Sequence, residues 1–199
     1  MDLRPLATYL PENTSLELFQ GWLEREEFAL QLKKPRASKL GDFRPPQKGQ
    51  KPTITLNSNL KPYQFLTTLV HEIAHLKTWN TYGRKAAPHG TEWKSCFTQM
   101  LIELSRDQAL DPIYKQAILR HSQRPKSNTG ADMNLQKVIL ALDEVNPVSL
   151  LGELGPEDEF FFRDRKFKYL GKRRTRALVE ELSTGRQFTI PLVAQIDAC

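Results

Sequence analysis

The segment His71-Glu72-Ile73-Ala74-His75 holds the residues whose types and spacing point most directly to chemistry. Residues four apart on a helix face the same side, about one turn from each other, so both imidazoles can reach one metal ion. Glu72 lies about 100° round the helix axis from His71, beside such an ion rather than facing it. A carboxylate in that place can act as a general base on an activated water molecule. The alternative is a pair of histidines packed in the core.

A third ligand is available shortly after the pentapeptide. The chain has only four histidines, and His89 follows His75 by fourteen residues. Catalytic zinc typically has three protein ligands and keeps a fourth position for water, so His89 is the predicted third ligand. Pro88 and Gly90 flank it just before a helix begins, where a loop can turn the side chain back toward the first helix. Glu92, Glu103 and Asp111 are the lesser candidates.

The spacing of apolar residues predicts the elements that position this group. A core helix begins at Pro62 and ends near Gly83, with a wide apolar face from Phe65 to Trp79. Alternating residues predict two or three strands between 28 and 57, of which 53–56 is the clearest. Further helices are predicted over 14–26, from 91 to 104, over 113–119 and over 135–142, with a polar loop over 122–132. These elements predict an α+β fold in which the core helix lies beside a small sheet.

The residue pattern of the chain changes after residue 145. The turn signals Asn146-Pro147 and Gly155-Pro156 interrupt short apolar runs, which indicates a boundary followed by β structure. Strands are predicted over 160–162, 167–170, 176–182 and 187–191, with a hairpin tip at Thr184-Gly185. The predicted domains are therefore residues 1–145 and a small basic all-β unit over residues 146–199.

The basic residues are concentrated in two windows. The chain carries 29 Lys and Arg against 23 Asp and Glu, a net charge of +6. Residues 163–176 contribute eight bases against one acid, and residues 33–51 contribute seven bases against Asp42 alone. Such polarisation suits an acidic partner, nucleic acid first, although a solvated charged face gives the same pattern. The candidate nucleic-acid residues are Lys166, Lys168, Lys172, Arg173, Arg174 and Arg176.

Aromatic residues alternate with these bases. Exposed on a basic sheet, they would stack on unpaired nucleotides, and buried, they would fill a small core. The residues concerned are Phe160, Phe161, Phe162, Phe167 and Tyr169. The sequence leaves both interpretations open.

The segment His71-Glu-Ile-Ala-His75, followed by Pro88-His89-Gly90-Thr91-Glu92-Trp93-Lys94, resembles the SprT-like metalloprotease family, whose eukaryotic relatives include Spartan. The resemblance extends back through Arg36-Ala37-Ser38-Lys39-Leu40-Gly41 and covers roughly residues 10–110. It implies a zincin-like domain with one zinc ion on His71, His75 and His89, and with Glu72 in catalysis. Many such proteins end in a four-cysteine zinc ribbon. This chain has only Cys96 and Cys199, so a second zinc is not expected.

The resulting hypothesis is a zinc endopeptidase that hydrolyses protein or peptide substrates, recruited by its basic regions to nucleic acid such as DNA carrying crosslinked protein. Substrate is expected to extend along an exposed strand such as Thr53 to Leu56. The candidates for stabilising the oxyanion, which the sequence does not rank, are Tyr63, Tyr82, Tyr114 and His121. No apolar span and no signal core before Pro11 are visible, which predicts a cytoplasmic protein without membrane contact.

Two other functions fit parts of the pattern. A nucleic-acid binding module with a non-catalytic metal site would need a fourth protein ligand, and none is evident near the three histidines. A metal hydrolase acting on a non-protein substrate, such as RNA or a formyl group, is the other. Peptide deformylases take a ligand from a cysteine upstream of the motif, and no cysteine precedes His71.

Overall fold

The computed structural model describes residues 4–36, 38–47, 49–144 and 149–198, and within these it has five α-helices and two sheets. The helices are α1 (Leu16–Leu23), α2 (Pro62–Tyr82), α3 (Thr91–Leu104), α4 (Pro112–Gln123) and α5 (Met133–Asp143). The strands are β1 (Ala29–Lys33), β2 (Gly41–Arg44), β3 (Thr53–Asn57), β4 (Ser149–Leu150), β5 (Glu159–Phe162), β6 (Arg165–Arg173), β7 (Arg176–Glu181), β8 (Gln187–Pro191) and β9 (Gln195–Ala198). The predicted α+β class is confirmed. Ala37, Lys48, the Asn146-Pro147 turn and Cys199 lie outside the described residues.

The chain forms two compact units, Met1–Ser127 and Asn128–Cys199. The first unit contains a sheet with the strand order β1-β3-β2, in which β1 is parallel and β2 antiparallel to β3. Strand β3 is paired on both sides and its Ile54 and Leu56 side chains are fully buried. The expectation that Thr53 to Leu56 is an exposed strand open to substrate is therefore wrong. Within this sheet, β2 and β1 are the edges.

Helix α2 begins with Pro62 at its first position, where the missing N–H costs no hydrogen bond. It ends at Tyr82 and is followed by the capping Gly83, whose φ of 57° a residue with a side chain adopts only with strain. The predicted core helix is thus confirmed at both ends. Its apolar face is buried from Phe65 to Leu76, while Trp79 is half-buried, and each fully buried Leu, Ile or Phe contributes about 1.5 to 3 kcal/mol. This face consists of Phe65, Leu66, Leu69, Val70, Ile73 and Leu76.

Helices α1, α3 and α4 complete the core of the first unit. Helix α3 packs against α2 through Trp93 and Phe97, which contact His71, and against α4 through Phe97, which contacts His121. Helix α4 is capped by Asp111, whose carboxylate accepts a hydrogen bond from the Ile113 N–H. It runs further than the 113–119 predicted, because the cap and Pro112 extend its start and the polar Ser122 and Gln123 continue its last turn. None of the described helices has both the length and the apolar character that a bilayer span requires.

The second unit is built on a six-stranded antiparallel sheet with the order β4-β9-β5-β6-β7-β8. The four predicted tail strands appear as β5 to β8, and Gly185 at the predicted hairpin tip has a φ of 67°. Strands β4 and β9 were not predicted. The predicted domain boundary at 145/146 falls in residues 145–148, outside the described residues. The unit includes α5, because Met133 packs against the core of this sheet and Gly152 leaves room for its thioether.

Candidate metal centre

Helix α2 places His71 and His75 one turn apart, and His89 approaches them from the segment before α3. The three Nε2 atoms form a small triangle: His75 to His71 is 3.3 Å, His75 to His89 is 3.0 Å, and His89 to His71 is 3.2 Å. Two nitrogens that each lie 2.0 to 2.1 Å from one tetrahedral ion are roughly 3.3 to 3.4 Å apart. The three imidazoles therefore fit a shared metal ion. Among the described His, Cys, Asp and Glu residues, they are the group that could hold a metal ion.

A tight turn brings His89 back to α2. His89 has a φ of 58°, a left-handed conformation uncommon for residues other than glycine and typical of functional sites. The Gly90 N–H donates to the Ala87 carbonyl at 2.9 Å, and a Cβ on Gly90 would lie 2.9 Å from that same oxygen. Glycine is therefore needed after His89 for the turn to close. The sequence shows the residue types of this turn but not its left-handed step.

The Trp93 side chain, at the start of α3, contacts all three imidazoles. Its ring centroid is 4.7 Å from those of His71 and His89 and 5.1 Å from that of His75, and the residue is fully buried. The Nδ1 atom of His71 is buried and has no hydrogen-bond partner in the described part of the chain. Packing between Trp93 and Phe97 therefore sets the orientation of the His71 ring. Sequence reasoning assigned no task to Trp93 beyond its place in the family motif.

The histidines are in the protonation state that metal binding needs. Burial, together with the neighbouring imidazoles, lowers the pKa of His71 to about 3 and that of His75 to about 4. Burial also lowers the pKa of His89. All three rings are therefore neutral near pH 7, and a neutral imidazole carries a nitrogen lone pair that can bind a metal.

Glu72 lies between α2 and strand β2 and is 6% exposed. The backbone of Phe43 lies near its carboxylate and holds its pKa down, and the Phe43 ring lies parallel to His75 at 6.3 Å. A Cβ on Gly41 would lie 3.1 Å from the Glu72 Cγ, so glycine allows β2 to approach α2 this closely. Burial, and secondly the Asp42 carboxylate, raises the pKa of Glu72 to about 8. A bound cation acts in the opposite direction.

The other predicted candidates lie elsewhere. The Glu103 carboxylate accepts from Trp22 Nε1 at 2.6 Å, Asp111 caps α4, and neither these two nor Glu92 belongs to the metal-binding group of the described residues. Of the oxyanion candidates, Tyr114 and His121 are buried and the Tyr114 hydroxyl bonds to Thr67, while Tyr63 packs against Tyr114. Tyr82 is 47% exposed. It lies seven residues after His75, on the same face of α2 and about 10.5 Å further along the axis.

The six candidate nucleic-acid residues fall into two groups. Lys166 and Lys168 pair with Glu159 and Glu157, and the Arg176 guanidinium donates to Thr189. The other three, Lys172, Arg173 and Arg174, are exposed at the β6–β7 turn, and no carboxylate in the described ranges pairs with them.

The five candidate aromatic residues of this unit differ in how far they are buried. Phe160, Phe167 and Tyr169 are buried in the core of the sheet, which confirms the core interpretation for these three. Phe162 is half-buried and packs against that core. Phe161 alone among the five is exposed, at 41%.

Two histidines of one helix and a third from the turn before the next could hold one metal ion, and the same helix carries a buried glutamate, which suits a metallopeptidase-like domain. The family model described as the SprT-like family matches residues 9–108, half of the chain. The chain belongs to the SprT-like family. The match covers the same region as the resemblance seen in the sequence. No curated protein and no solved structure matches the chain.

Proposed function

We propose that the first unit is a zincin-type, zinc-dependent endopeptidase domain. The observation that carries this proposal is the convergence of three Nε2 atoms within 3.0 to 3.3 Å of one another, two of them on the helix that also carries the buried Glu72. A closed structural site would need a fourth protein ligand, and the group found among the described residues has three. This count disfavours a non-catalytic metal site.

His71, His75 and His89 would hold the ion. Zinc in such a site supplies Lewis acidity, which makes a water molecule acidic near neutral pH and polarises a peptide carbonyl. Three imidazoles also accept cobalt, nickel or manganese, so zinc itself rests on the family rather than on the donor set.

Glu72 is the proposed general base. Its carboxylate accepts a proton from the attacking water and then delivers it to the nitrogen of the leaving amine. The Phe43 N–H near the carboxylate would limit its rotation. In this proposal the Phe43 N–H of β2, rather than a second charged side chain, holds Glu72 in position.

Strand β2 is the proposed site for an extended substrate. The Leu40 carbonyl accepts from the Asn57 N–H, and Asp42 is opposite Thr55, so in the antiparallel alternation Gly41 and Phe43 point their backbone groups away from β3. A peptide that adds to this edge would bond to the Gly41 N–H and to the carbonyls of Gly41 and Phe43, because the Phe43 N–H faces Glu72, and would leave the side-chain sequence largely free. The peptide would also pass alongside Glu72, because the backbone of Phe43 contacts the Glu72 carboxylate.

The experiment is metal analysis and cleavage of an unfolded protein substrate by the full chain. Zinc should bind at one equivalent, and Glu72→Gln should keep it while slowing cleavage about 10²- to 10⁴-fold, the usual contribution of a general base. His89→Ala should lose stoichiometric zinc. Glu92→Gln removes a nearby carboxylate outside the site and should retain both properties. Full cleavage by Glu72→Gln, or a zinc-loaded wild type that never cuts, would overturn the proposal.

A nucleic-acid tether is proposed for the second unit. The supporting observation is the β6–β7 turn, where Lys172, Arg173 and Arg174 are exposed and free of carboxylate partners among the described residues. DNA carrying crosslinked protein is the expected class of substrate. Binding to phosphates releases counterions, so affinity for DNA should fall steeply with salt.

The tether is tested by DNA binding measured as a function of salt concentration. Each lost phosphate contact lowers the magnitude of the log–log slope by about 0.9, so replacing Arg173 and Arg174 by Glu should lower it by about 2. Arg186→Glu reverses one charge at the β7–β8 end, against two in the test variant, and is the control. Equal slopes for the two variants would remove the β6–β7 turn from the interface.

A further inference from the structure

A polar network lies on the face of the first sheet opposite α2, and Asp42 of β2 is at its centre. Arg36 Nη1 and Thr55 Oγ1 both donate to Asp42 Oδ1. Arg44 Nε donates to Asp42 Oδ2 at 2.8 Å, and Lys39 Nζ lies 3.3 Å from Oδ1. Although burial opposes it, these hydrogen bonds lower the pKa of Asp42 well below its ordinary value. Asp42 is therefore a carboxylate surrounded by donors.

The same network fixes the chain just before β2. Arg36 Nε donates to Asn57 Oδ1 at 2.7 Å, and Asn57 Nδ2 donates to the carbonyls of Arg36 and Lys39 at 3.2 and 2.9 Å. Asn57 and Thr55 belong to the central strand β3 and are 2% and 1% exposed. Charge-assisted bonds of this kind define geometry as well as contributing energy. Arg36 and Lys39, which precede β2, are thus both hydrogen-bonded to Asn57 of β3.

The opposite face of β2 contacts the proposed base. Successive residues of a strand face opposite sides of the sheet, so Gly41 and Phe43 face α2 while Asp42 faces the network. Strand β2 has only four residues and pairs with one strand in the described sheet. Its position against Glu72 depends on few main-chain bonds. A donor network behind it supplies the missing constraint.

We propose that Asp42 is a positioning residue that holds β2, and with it the Phe43 N–H, in place against Glu72. The inference rests on the proposed function for its kinetic consequence, because Glu72 must be the base for its position to affect turnover. The contact itself does not depend on that function. Its test therefore has two arms, one of which needs no activity.

The first arm measures hydrogen exchange of the Phe43 amide by NMR in the full chain. Asp42→Asn keeps the shape of the side chain but removes its charge, and should speed exchange of that amide at least tenfold while leaving amides in the middle of α2 unchanged. Thr55→Val removes one donor isosterically and should act in the same direction with a smaller effect, which keeps the test valid if Asp42→Asn does not fold. Glu103→Gln weakens a polar contact of the same unit, to Trp22, and is the control. An unchanged Phe43 amide in both test variants would overturn the proposal.

The second arm measures turnover and metal content. Asp42→Asn should lower kcat about tenfold with KM and zinc stoichiometry unchanged, and should cause no further loss when Glu72 is already Gln. If Glu103→Gln lowered kcat as much as Asp42→Asn does, the effect would reflect a general loss of stability, and that result would contradict a positioning role. If the wild type does not cleave at all, the proposed function fails, and the amide measurement still decides whether Asp42 positions Phe43.

Discussion

Gly41→Ala tests the close approach of β2 to α2. A Cβ at this position would lie 2.8 Å from Thr68 Cγ2, 2.9 Å from Leu56 Cδ2 and 3.1 Å from Glu72 Cγ. Carbon atoms pack best about 3.5 to 4.0 Å apart, so all three contacts are too short by at least roughly 0.4 Å. Gly41 has no positive φ, and the substitution therefore acts through space alone.

The surrounding atoms have little freedom to move. Thr68 Oγ1 donates to the Gln64 carbonyl at 2.7 Å, which fixes its rotamer, and Leu56 is fully buried. Overpacking of such a site costs about 1 to 3 kcal/mol, and we expect about 2 kcal/mol here. For a unit of this size that corresponds to a fall in Tm of roughly 8 °C. If β2 shifts instead, the Phe43 N–H moves away from Glu72 and cleavage falls.

The assay compares thermal unfolding and peptide cleavage of Gly41→Ala with those of Gly21→Ala. Gly21 is an exposed residue of α1, and a Cβ added to it would have no neighbouring atom within 4 Å. Alanine there should therefore raise stability by about 0.5 to 1 kcal/mol through helix propensity. The same substitution is thus expected to have opposite signs at the two positions. A Gly41→Ala protein with the Tm and activity of the wild type would refute the packing argument and the placement of Glu72 that depends on it.

Three further outcomes are expected. Trp93→Leu should weaken metal affinity about 10- to 100-fold, the size of effect seen for residues that support ligands, whereas Trp93→Phe should weaken it less because an aromatic ring still supports the imidazoles; competition with a chelating dye measures both. Zinc at about 100 times its Kd should stabilise the first unit by about 2.7 kcal/mol, and a chelator should reverse the rise in Tm. In the second unit, hydrogen bonds from Arg165 and Thr184 lower the pKa of Glu181 to about 2, from an ordinary 4.5. A lowered folded-state pKa stabilises above about pH 4.5, and the stabilisation is lost as the pH falls toward 2. Urea unfolding followed by the amide signals of β6 and β7 should therefore show a smaller acid-induced loss in Glu181→Gln, and an identical loss would contradict this role.

Much of the fold is readable where a local pattern decides the structure. The apolar face of α2, its proline start and its glycine end are all local signals, and the element appears as predicted. Strand β9 shows the limit, because Gln195-Ile196-Asp197 has a single apolar residue and becomes a strand only by pairing with β5 and β4. The strand order β1-β3-β2 could not be predicted from the sequence either, because it depends on which strands pair across the chain.

The sequence by itself predicted the donor set: helical spacing places His71 and His75 on one face, and His89 follows closely enough to be the favoured third ligand over Glu92, Glu103 and Asp111. Only the tertiary structure decided how those donors are held. The left-handed step at His89, the indole of Trp93 against three imidazoles and the Phe43 N–H on Glu72 arise from contacts between separate elements. Periodicity reports which side of an element is buried, but it carries no information about which backbone group of another element meets that side.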